Sequence, residues 1–167
     1  KVHCTYREIN LNKLSQNIDY FRSILKEGTK LMAMVKASSY GSGTHEIANL
    51  LEYKKLDYLC VAYPDEGIEL RKAGVSIPIM VLSSDANSLH SCLAYHLEPV
   101  VYNLGLLEQV KRETKEKSLR IHLELDTGMK RLGLEKEDIG LANKIISENS
   151  NIILGSVFSH LAAADEM

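Results

Sequence analysis

The chain has 167 residues, and 20 Lys and Arg against 22 Asp and Glu give a net charge of −2. Apolar residues make up 45% and charged residues 25%, which excludes wholesale disorder. Charges of both signs are mixed along the chain, which argues against nucleic acid or an anionic membrane as the main partner. No apolar run approaches the roughly 18 residues that a membrane span needs.

The chain opens on Lys1 rather than Met, with no signal-peptide pattern, so the sequence predicts further residues upstream. Cys4, Cys60 and Cys92 are odd in number and widely spaced, which predicts reduced thiols in a cytoplasmic protein. Thr5 to Leu11 alternates loosely and reads as a strand of a different sheet. Leu11, Leu14, Ile18, Phe21 and Leu25 then step by 3, 4, 3 and 4, which is one face of a helix closed by Gly28.

Six apolar runs follow: 31–35, 58–62, 77–82, 98–102, 119–125 and 152–158. Most are continuously apolar, as strands covered on both faces are. Each gap carries a helical pattern. Thr44 precedes Ile47, Ala48, Leu50 and Leu51. Pro64 takes a first helical position with Asp65 and Glu66 behind it and Gly74 past the end. Asp85 and Asn103 stand as caps of two shorter helices, and Ile139, Ala142, Ile145 and Ile146 mark the last. Repeated βα units make a parallel sheet, doubly wound or closed into a barrel. Six units fall short of an eight-stranded barrel, which takes about 250 residues.

Ligands in such folds sit at the carboxyl ends of strands. The first run ends in Lys36. There the lysine either snorkels to solvent or is desolvated enough to lower its pKa and free a nucleophilic amine. Tyr40-Gly41-Ser42-Gly43-Thr44 is a turn entering a helix, suited to an anion, with the Tyr40 hydroxyl as a phosphate donor. The fifth run ends in Glu124, Asp126, Lys130 and Arg131. Glu124 and Asp126 share strand parity, and a buried carboxylate there needs a partner such as Arg131. The sixth ends in Ser159-His160. Asp126-Thr127-Gly128 is not read as an aspartic-protease triplet, because those enzymes are all-β. His45-Glu46 lacks the second His of a zinc-protease motif, and no metal site is expected.

Four segments together resemble the alanine racemase family. Val35-Lys36-Ala37-Ser38-Ser39-Tyr40-Gly41-Ser42-Gly43 is similar to its pyridoxal-phosphate signature, V-K-A-N/D-A-Y-G-H-G. His122 through Gly133 is similar to H-x-K-x-D-T-G-M-x-R-x-G, and Ser159-His160 with Asp165-Glu166 to T-H-F-A-x-A-D-E. The opening Glu8-Ile9-Asn10-Leu11, with Leu14 and Asn17, is similar to the family's start.

The resemblance implies an α/β fold, a (β/α)8 TIM-type barrel truncated here to about six βα units. Residues 11–167 would be part of the cofactor-binding barrel, and residues 1–10 a strand of a C-terminal β domain. It implies pyridoxal 5'-phosphate as cofactor and alanine as substrate, racemised by two-base proton transfer in a homodimer that supplies D-alanine for peptidoglycan. Lys36 would hold the cofactor and act as one base, and Tyr40 would contact the phosphate. Arg131 would lie near the phenolic oxygen and the substrate carboxylate, and His160 against the pyridine ring. Two departures stand out. Glu124 replaces a lysine that is carbamylated in many members, and it is expected to hold Arg131 as the carbamate does. Ser42 replaces the usual His.

The second base and further cofactor contacts would lie beyond Met167, so the 167 residues alone are expected to be inactive. Other readings are a non-catalytic cofactor-binding barrel, a scaffold that binds nothing, and a racemase domain of a fusion with a cell-wall ligase.

Overall fold

A computed structural model describes residues 6–163 and 166. Six strands, β1 (Met32–Met34), β2 (Tyr58–Val61), β3 (Ile79–Val81), β4 (Glu98–Val101), β5 (Leu119–Leu125) and β6 (Ile152–Ser159), form one sheet in chain order. Every neighbouring pair is parallel. The connections carry a short left-handed helical turn, α2 (Lys36–Gly41), and helices α3 (His45–Tyr53), α4 (Pro64–Lys72), α5 (Leu89–Ala94), α6 (Leu104–Glu113) and α7 (Ile139–Ser147), and α1 (Leu11–Ile24) precedes β1.

Local chemistry explains most boundaries. Asn10 caps α1 by accepting from the Lys13 N–H, and Asn103 caps α6 by accepting from Leu106 N–H at 2.8 Å. Pro64 opens α4, where its missing N–H costs nothing. Asp85 does not cap α5 directly. It trades hydrogen bonds with Ser88, and the helix starts after Ser88. Of the strand expected at 1–10, residues 1–5 lie outside the described residues. Residues 6–10 are exposed and unpaired, and an extended segment becomes a strand only by finding a partner for its backbone groups.

The core has two sides. Outside the sheet, the helices bury Leu59, Leu70, Ile79 and Leu51 around β1–β3, and Ile121, Leu107, Val110 and Ile145 around β4–β6. A fully buried side chain of this size contributes roughly 1.5–3 kcal/mol. Inside, Cys60, Met80 and Val100 pack with Leu82, Tyr102 and Phe158. Strands β2 to β4 are covered on both faces, as their apolar runs predict. Met32 and Met34 on β1, and Leu154 and Val157 on β6, stay exposed because these are the sheet's edges. The sheet thus curves as a barrel wall that is open between β6 and β1. A register shift in β5–β6 leaves Gly155 unpaired; a Cβ there would come 2.8 Å from Cε1 of His122.

Candidate active site at the carboxyl ends of the strands

Lys36 stands just past the end of β1, after Val35, and is half-buried. Its strand is anchored to β2 by Val35 N–H donating to Cys60 C=O at 2.8 Å. The chain then turns left-handed: Ala37, Ser38, Ser39 and Tyr40 have φ of 49, 53, 51 and 55°. An L-residue in this conformation costs roughly 1–2 kcal/mol, and a run of four does not persist unless it is tied down.

The turn is tied internally. Ser39 N–H donates to Val35 C=O, Ser42 N–H to Ser39 C=O and Gly43 N–H to Ser38 C=O, while the Ser38 and Thr44 hydroxyls meet at 2.9 Å. These amides are therefore spent, and the Glu46 carboxylate stands beside Gly43. That leaves the Tyr40 hydroxyl, rather than these three amides, as the donor expected to meet an anion. The turn also fixes the direction of Lys36 and puts Tyr40 on the surface, 66% exposed.

A second group forms at the ends of β5 and β6. Glu124 is buried, 6% exposed, as its strand parity predicts. Burial pushes its carboxyl pKa up, opposed by the charges of Arg131 and His160, while Asp126 pushes it further up. Arg131 and His160 are exposed. The expected hydrogen bond from Arg131 to Glu124 is not formed: among the described residues no hydrogen bond or ion pair joins them, and the coupling is electrostatic only.

The reason is the loop that carries Arg131. Asp126 turns it by accepting from Gly128 N–H at 2.9 Å and Lys130 N–H at 3.1 Å, which holds its own pKa down. Leu134 N–H donates back to Glu124 C=O at 2.8 Å, closing the loop so that Arg131 lies near its exposed tip. The Thr127 and Ser159 hydroxyls join this loop to the residue before His160.

Glu124, Arg131 and His160 are thus one electrostatic neighbourhood. Lys36 and Tyr40 form another at the end of β1, where Lys36 and Glu66 both act on Cys60, whose thiol burial pushes up to about 12. Among the described residues no direct bond links the two groups, and no cluster of His, Cys, Asp or Glu is arranged to hold a metal ion. Among the described residues no helix is long and apolar enough to cross a membrane.

Sequence reasoning missed two contributors. Glu66 reaches the turn after Lys36, signalled only by its place at the third position of α4. Glu98 pairs with buried His122 beneath the site, with no local signal.

Parallel βα units with chemistry gathered at strand carboxyl ends define an α/β protein of the TIM-barrel type, with six strands in place. Residues 9–167 match the family described as alanine racemase, N-terminal domain, and the chain belongs to that family. It is 40% identical to the alanine racemase of Clostridium tetani, covering 96% of this chain and 42% of that protein. It is 36% identical to alanine racemase 1 of Bacillus subtilis, covering 97% and 42%. The structure of alanine racemase from Clostridium difficile 630 superposes with a TM-score of 0.89 at 32% identity, over 95% of this chain and 43% of the other. The chain spans less than half the length of these relatives.

Proposed function

We propose that this chain is the cofactor-binding barrel of a pyridoxal 5'-phosphate-dependent enzyme that interconverts L-alanine and D-alanine, cytoplasmic and homodimeric in its full-length form. The observation that carries it is Lys36, set on a left-handed turn at a strand carboxyl end, with Glu124, Arg131 and His160 at the ends of β5 and β6. The donor set fits the cofactor. An amine suits its aldehyde, a phenol suits its phosphate, and the buried Glu124 carboxylate leaves the nearby guanidinium free for an incoming anionic oxygen.

When bound, the cofactor supplies an electron sink that acidifies the Cα–H of the amino acid. Lys36 would hold the cofactor through its Nζ, and that amine, once displaced by the amine of the substrate, would be free to take or return the α proton on one face. Inversion requires a base on the other face, outside the group of Lys36, Arg131 and His160. Arg131 offers paired N–H groups to a carboxylate or phenolate oxygen. Glu124 balances that charge from beneath, without carbon dioxide. His160 would lie beside the cofactor ring, and the exposed Tyr40 hydroxyl would donate to a phosphate oxygen.

The test is absorbance on mixing the chain with pyridoxal phosphate. A visible band that disappears in Lys36→Ala supports the reading, and a band that survives the substitution overturns it. In an alanine racemisation assay with added cofactor, the 167 residues alone are expected to show no turnover. Robust turnover would show that the open barrel already holds both bases.

A further inference from the structure

Among the described residues, the turn after Lys36 has one hydrogen-bonded tether from another βα unit, and it is a single carboxylate. Glu66 Oε1 accepts from Ala37 N–H at 2.6 Å, across 29 positions of sequence. Its Oε2 accepts from Ala62 N–H at 2.7 Å and Tyr63 N–H at 3.1 Å. A glutamate at this place in a helix needs only the Tyr63 bond to act as a cap. The other two bonds reach the residues just past β1 and β2.

Ala37 is exposed, and its N–H donates to no backbone carbonyl. It is also the first of the four left-handed residues. Releasing it frees the strained run at the point where Lys36 takes its direction. Behind the turn lies a cavity of about 200 Å³ lined in part by Ser38, Thr44, Glu66 and Glu69, so the turn has room to collapse inward once released. The Glu66 charge sits on the first turn of α4, where the helix dipole favours an anion.

We propose that Glu66 is a positioning residue: it clamps Ala37 to the ends of β1 and β2 and thereby aims the Lys36 amine. The consequence for catalysis rests on the function proposed above; the clamp itself does not. Glu66→Gln puts an amide donor against backbone donors. Glu66→Asp keeps the charge on α4 but, one methylene shorter, does not reach Ala37.

Two measurements on the 167-residue chain test this. Amide hydrogen exchange in the unaltered chain is expected to show Ala37 protected despite its exposure, and both variants to lose at least tenfold of that protection while the β4 amides keep theirs. Reductive methylation with formaldehyde, read by peptide mass spectrometry and normalised to exposed Lys26, is expected to change severalfold at Lys36 in both variants. Fast exchange at Ala37 in the unaltered chain overturns the proposal without any variant. So does Glu66→Asp behaving as the unaltered chain at Lys36, because charge alone would then suffice. Failure of Lys36 to react with pyridoxal phosphate would count against the proposed function, whereas the Ala37 exchange decides the clamp.

Discussion

Glu98 on β4 and His122 on β5 face each other inside the barrel wall, carboxylate to imidazole Nε2 at 2.8 Å, with the other ring nitrogen 2.8 Å from the Ser156 hydroxyl. The imidazole is 1% exposed, and the Tyr58 ring stands edge-on to it. One buried side chain therefore joins three neighbouring strands below Glu124. Removing it leaves a nearly buried carboxylate without its closest partner. His122→Ala is expected to cost about 3–5 kcal/mol. Glu98→Gln keeps an acceptor without the charge and is expected to cost nearer 1 kcal/mol. Urea denaturation of both variants checks the ordering; equal small losses would mean the pair is dispensable.

Cys60 and Cys92 are free and buried, with thiols pushed by desolvation up to about 12 and about 11. At neutral pH, a pKa near 12 leaves only roughly one thiol in 100,000 ionised, and the thiolate is the nucleophile. Neither residue is expected to react with iodoacetamide in the folded chain, and both should label fully in denaturant. Peptide mapping by mass spectrometry reads each site separately. Native labelling of Cys60 at the rate of a free thiol would contradict the packing of the barrel interior.

The sheet was legible because its signal is local. All six apolar runs, five to seven residues long, have the length of a strand, and their ends located Lys36, Glu124 and His160. The conformation after Lys36 was not legible. Ala37, Ser38, Ser39 and Tyr40 carry no sign of positive φ, and the carboxylate that steadies them is 29 residues away. Parity buried Glu124 correctly but could not place Arg131, whose position follows from Asp126 turning the loop toward the surface. Pairing of Glu98 with His122 depends on which strands become neighbours, which spacing alone does not specify.

Gly133 closes the Arg131 loop at φ 127°, and a Cβ there would fall on the backbone of Leu125 and Asp126. Gly128, at φ 136° in the same loop, has open space in that direction. Gly128→Ala therefore carries backbone strain alone, about 1–3 kcal/mol. Gly133→Ala adds a backbone clash that no rotamer relieves, so it should melt lower than Gly128→Ala and loosen the Leu134–Glu124 bond. Thermal melts with amide exchange at Leu134 compare them, and equal melting temperatures would rule out the steric account.

Glu124 should leave a signature in stability against pH. Its carboxyl titrates above the ordinary 4.5 when folded, chiefly because burial disfavours the charged form. Between 4.5 and its folded value the native state binds more protons than the unfolded chain, so the slope of unfolding free energy with pH is negative. This contribution is fully present below 4.5 and is lost as pH rises through the folded value. Glu124→Gln cannot ionise and removes that slope. The difference in urea-unfolding free energy between the two proteins should therefore shift toward the variant as pH increases across this window and level off beyond it. A difference that stays flat, or moves the other way, would mean that Arg131 and His160 outweigh desolvation and that the pair is more tightly coupled than their separation suggests.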